Sequence, residues 1–184
     1  MLGEVVTPGH GVNVQEVLDN LPTASILHLA CHGEQDAIDP LRSGFCLRNG
    51  RLAIGELMKI NLRHAFFAFL SACETAKGDS KQPDQAVHLA AAILFVGFRS
   101  VIATIWCVSQ VFRQAVGRLL TIMASRSMND EDGPTVAKIV YRALVKEEFL
   151  DPDVFPYALD TAVRKLRDGG AQPHRWAPYI HMGA

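Results

Sequence analysis

The sequence predicts an α/β fold, a mainly parallel sheet flanked by helices with a β-hairpin inserted. Three observations point there. Residues 25–30, 65–70 and 100–106 are short runs too apolar for half-exposed strands, as buried parallel strands are. Helical patterning separates and follows these runs, which favours right-handed crossovers covering both faces of one sheet. Within residues 44–54, Asn49 and Gly50 stand between two apolar runs, a strong signal for a tight hairpin.

Each element has a local reason. Val14, Val17, Leu18 and Leu21 recur at helical spacing and stop at Pro22, predicting a short helix over 14–21. The run 25–30 reads as a strand, and Gly33 permits a sharp exit just after Cys31 and His32. A short helix over 55–60 leads to the second strand, which delivers Ser71, Ala72 and Cys73. Residues 85–96 form a helix apolar almost all round, broken by Gly97, before the β-branched third strand at 100–106. Residues 134–147 and 153–167 read as outer helices.

With 184 residues and 49% apolar content, the chain fits one ordinary domain with a real core. Eighteen basic against nineteen acidic residues lack the excess that non-specific nucleic-acid binding leaves, so no nucleic-acid partner is expected. No apolar run reaches the ~18–20 residues a membrane helix needs, and the first residues lack a signal-peptide core, so no membrane association is expected. The four cysteines, Cys31, Cys46, Cys73 and Cys107, show no CxxC spacing. Free thiols in a reducing cytoplasmic setting are expected, with no zinc or other metal.

In open α/β sheets, reacting groups gather beyond the carboxyl ends of the strands. His32 and Cys73 each follow an apolar strand by two residues, so adjacent parallel strands would bring them together. A thiol becomes a competent nucleophile beside a base, and imidazole suits that task near neutral pH. The bland alternative is open too: cysteine is among the most buried residues, and a histidine after a strand can simply bond a loop carbonyl. His28, inside its strand, and Cys31, alternating away from His32, read as structural.

The motifs LHLACHG at 27–33 and LSACETA at 70–76 resemble the paired signature of the CHAT family, relatives of caspases and separase. Similar stretches continue at 86–91 (AVHLAA), 97–102 (GFRSVI), 104–106 (TIW) and 176–179 (WAPY). The resemblance implies a caspase/separase-like three-layer sandwich and a cysteine peptidase mechanism without metal or organic cofactor. Cys73 would attack a peptide carbonyl and His32 would assist proton transfer to the leaving amine. The backbone N–H groups of Gly33 and Cys73 would hold the oxyanion, and Glu74 would contact substrate or else only cap the helix after Cys73. The implied partners are a protein or peptide substrate and an upstream tetratricopeptide-type region.

Two departures from the family pattern stand out. In similar fungal-type sequences the stretch like SMNDEDGP, here 127–134, follows the strand's tryptophan almost at once, whereas here residues 107–126 intervene. Removing them restores the expected run, and Val108-Ser109 and Ser125-Arg126 can be encoded by splice-like ends, so the segment reads as an insertion or a retained intron. The rival is a genuine helix, since Val108, Phe112, Ala115, Val116, Leu119 and Met123 make an apolar stripe. The resemblance implies that the acidic cluster after it, 130–132, lies near the substrate pocket: Asp130 would favour a basic substrate side chain or else share with Asp132 a solvated turn, the reading preferred for Asp132, before a helix with Pro134 at its first position. The second departure is that few residues precede the histidine motif, so residues 1–184 are expected to be the C-terminal part of an N-terminally truncated domain. The functional expectation is an endopeptidase-like His–Cys module; the alternative is a catalytically silent interaction module of a larger repeat-containing protein. A nucleotide-binding protein is disfavoured because no GxxxxGK[ST] or strand-linked GxGxxG motif occurs.

Overall fold

The computed structural model describes residues 12–34, 36, 38–71, 73–74, 85–104, 132–146, 151 and 153–183. The strands are β1 (Ile26–Leu29), β2 (His32–Glu34), β3 (Gly44–Leu47), β4 (Gly50–Ala53), β5 (Phe67–Leu70), β6 (Cys73–Glu74), β7 (Ser100–Thr104) and β8 (Tyr179–Gly183). The helices are α1 (Val14–Asn20), α2 (Ile54–Leu57), α3 (Gln85–Val96), α4 (Asp132–Lys146), α5 (Val154–Asp168) and α6 (Pro173–Trp176). The segment 107–126 and Asp130 lie outside the described residues.

The main sheet runs β1-β5-β7-β8. Its first three strands are parallel, with Leu29 beside Leu70 and Leu70 beside Ala103, and β8 closes the far side antiparallel. This is the expected α/β architecture. All of β5 and β7 is buried, which explains the apolar run of β5 and the apolar centre of β7, Val101 to Ala103.

Strand side chains alternate between two cores. Leu27, Leu29, Ala68, Leu70, Val101 and Ala103 pack with α1, α2, α3 and the hairpin residues Phe45 and Leu52. Ile26, Phe67, Phe69 and Ile102 pack with Val136, Val140 and Leu144 of α4 and with Phe155, Leu159 and Leu166 of α5. The repeats at helical spacing on α4 and α5 are the stripes that the outer-helix prediction requires. Phe67 stacks on Phe155 at 4.1 Å between centroids, fixing α5 over the middle of the sheet.

The hairpin differs from expectation by one residue. Leu47 pairs with Gly50, so the two turn residues are Arg48 and Asn49 rather than Asn49 and Gly50. Asn49 is used elsewhere: its side chain accepts the Val14 N–H at 2.8 Å, and the Arg48 N–H donates to the Val12 carbonyl at 3.3 Å. Pinning the turn to the start of α1 sets the register, while Gly50 takes φ 154°, a region that favours glycine.

Candidate functional site

The two parallel strands at the end of the main sheet do not stop there. After Leu29 the chain passes through Ala30 and Cys31 into β2, and after Leu70 it passes into β6. These continuations pair again as part of a second sheet of order β4-β3-β2-β6. The Ser71 N–H donates to the Leu29 carbonyl at 2.9 Å and bridges the two levels.

In the second ladder His32 is the direct register partner of Cys73, and Gly33 that of Glu74. Neighbouring strands lie about 4.8 Å apart, so the backbones of His32 and Cys73 are adjacent. His32 also pairs with Cys46, and Cys46 with Arg51, so Arg51, Cys46, His32 and Cys73 form one row across four strands. The neighbouring row holds Leu52, Phe45 and Gly33, all buried, whereas His32 is exposed. His32, with Cys46 and Arg51 beside it, therefore belongs to the outward face.

Around His32 the outer face is polar. Glu34 pairs with Arg51 at 2.5 Å, and a second Arg51 nitrogen donates to the Arg42 carbonyl at 3.0 Å. The Cys46 thiol donates to Glu34 Oε2 at 3.7 Å. Burial and then the Glu34 carboxylate push this thiol up from its ordinary range. Cys31 turns toward the first core, and burial, with a smaller contribution from Cys46, pushes its thiol up to about 11. Cys31 and Cys46 are thus both held in the protonated, poorly nucleophilic form.

His28 is structural, as its place inside β1 implies. It shares a 3.0 Å hydrogen bond with the Tyr141 hydroxyl and sits against Phe69, and burial lowers its basicity.

Asp132 corrects an expectation. It is the first residue of α4, not part of a solvated turn, and Pro134 is the helix's third residue rather than its first. Only 2% of Asp132 is exposed, and Arg175 donates to both carboxylate oxygens, at 2.7 and 2.6 Å. Burial is tolerated because the bidentate guanidinium satisfies both oxygens. Sequence reading misses Arg175, since 43 residues separate the partners and neither has a local pattern. Among the described residues no group of three or more His, Cys, Asp or Glu side chains could hold a metal ion, and no helix is long and apolar enough to cross a membrane.

Residues 3–184 match the family model described as the CHAT domain. The chain belongs to the CHAT domain family. This is a caspase-like family related to cysteine peptidases, and the mainly parallel sheet between helical layers agrees with that fold. No curated protein matched the chain. In this CHAT domain the histidine and cysteine motifs are the two chain segments that leave the main sheet side by side and pair again in the second.

Proposed function

We propose that this CHAT domain is a cysteine-type endopeptidase module in which His32 and Cys73 form a catalytic dyad. The observation that carries the reading is the direct register pairing of His32 with Cys73. In this mechanism the Cys73 thiolate attacks the peptide carbonyl carbon, and the C–N bond breaks as His32 delivers a proton to the leaving amine. Water then hydrolyses the thioester, with the proton returning through His32. The backbone N–H groups of Gly33 and Cys73 hold the oxyanion, a role in which each aimed donor lowers the barrier by about 3 kcal/mol. Glu74 and Asp130 contact the substrate, Asp130 favouring a basic side chain. No cofactor takes part, the substrate is a protein or peptide, and an upstream repeat region or partner supplies recognition in a reducing compartment.

The test is site-resolved alkylation read by mass spectrometry. Cys73 should react faster than Cys31 and Cys46 near neutral pH, and His32→Ala should slow Cys73 on the order of 100-fold. Cys73 reacting no faster than the two hindered thiols, or unaffected by His32→Ala, rejects the dyad. The chain would then be the silent interaction module that shares the same fold.

A further inference from the structure

We infer that the Asp132–Arg175 ion pair positions Cys73, acting through a close contact between Gly133 and Ser71. This rests on the proposed His32–Cys73 dyad. The pair joins the first residue of α4 to α6, the short helix that leads into β8. Two bonds of 2.7 and 2.6 Å from one guanidinium fix orientation as well as distance. The Asp132 side chain is only 3% exposed, so water cannot substitute for a lost partner.

The next residue, Gly133, is buried against the end of β5. A methyl group added there would lie 3.0 Å from Ser71 Oγ, tighter than ordinary contact. Ser71 is bonded through its N–H to Leu29 at the end of β1, and it stands two residues before Cys73. One side of Ser71 thus leads to the histidine strand and the other to the cysteine.

The apolar face of α4 does not provide this precision. Val136, Val140 and Leu144 hold the helix against the sheet, but apolar packing is non-directional and leaves axial placement loosely set. A directed pair at the helix's first residue fixes where its first turn ends up. Buried ion pairs add little net stability compared with apolar side chains of the same size, so a positioning role also explains why charge is buried at this spot.

The experiment measures Cys73 alkylation rate against pH, together with thermal unfolding, in the full chain. Arg175→Lys keeps the charge but loses the planar fork. Gly133→Ala crowds Ser71 while favouring the helix, so its unfolding midpoint is read beside the rate to separate a displaced cysteine from a weakened fold. Both variants should lower the Cys73 rate on the order of 10-fold and raise the midpoint of its pH profile. Ser71→Ala removes the crowded atom, so adding it to Gly133→Ala should restore the rate to within about twofold of Ser71→Ala alone. Wild-type rates and pH midpoints in Arg175→Lys and Gly133→Ala, alongside intact His32-dependent reactivity, overturn the positioning role alone. A double variant no faster than Gly133→Ala overturns the route through Ser71. Loss of His32 dependence in the wild type removes the dyad and the positioning role together.

Discussion

At the scale of single residues, burial decides which groups are chemically quiet. Cys31 is pushed from 9.0 to about 11 by burial, so the folded chain holds its proton over a range where the unfolded chain releases it. Stability from this group is fully present below about pH 9 and is lost between about pH 9 and 11, a difference on the order of 2 kcal/mol. Chemical denaturation across that range should show the decline, and Cys31→Ala should remove that part of the slope. The Asp132–Arg175 pair is asymmetric in the same way. Arg175 is 31% exposed and Asp132 only 3%, so Arg175→Ala, which strands a carboxylate, should cost about 3 kcal/mol. Asp132→Ala, which leaves a cation able to reach water, should cost less. Equal losses in urea titrations would contradict this account.

Among the elements, the hairpin is tightly constrained by backbone contact. A methyl group at Gly44 would meet the Leu52 carbonyl oxygen and the Ala53 Cα across the β3–β4 ladder. Neither is a flexible side-chain end that could swing away. Gly44→Ala should therefore cost about 2–4 kcal/mol and part the two strands, whereas Gly50→Ala meets nothing nearby and pays only for φ 154°. Amide exchange in β3 would separate the two cases.

The elements also show what local sequence can carry. β1, β5 and β7 are legible because burial on both faces leaves compact apolar runs, α4 and α5 because their stripes repeat at helical spacing, and α3 because a long apolar run is broken by Gly97. β2 and β6, with three and two residues, have no period to read; their strand character comes from pairing, β6 with β2 and β2 with both β6 and β3. β8 escapes sequence reading because YIHMG mixes polar and apolar residues, half-buried at the edge of the sheet. His32 and Cys73 can be chosen by their place beyond strand ends, but their register depends on how β1 and β5 align. Arg175 is invisible because its value lies wholly in a partner distant in sequence.

At the scale of the molecule, one sheet serves two cores. Leu70 faces the α1–α3 side and Phe67 the α4–α5 side, yet both belong to β5. Leu70→Ala and Phe67→Ala should each cost about 3–5 kcal/mol and each lower the unfolding of both layers together, because neither layer can keep its floor without the sheet. Two separate transitions by near-ultraviolet and far-ultraviolet circular dichroism would show independent layers instead.

The antiparallel strand β8 has a consequence for synthesis. About 75 residues separate Thr104 from Tyr179, its register partner. At roughly 5–20 residues per second, the ribosome needs about 4–15 s to deliver the strand that covers β7. Throughout that interval β7, with Val101, Ile102 and Ala103 at its centre, presents an open edge to other nascent chains. Until β8 emerges, that edge is therefore where pairing with another chain would begin.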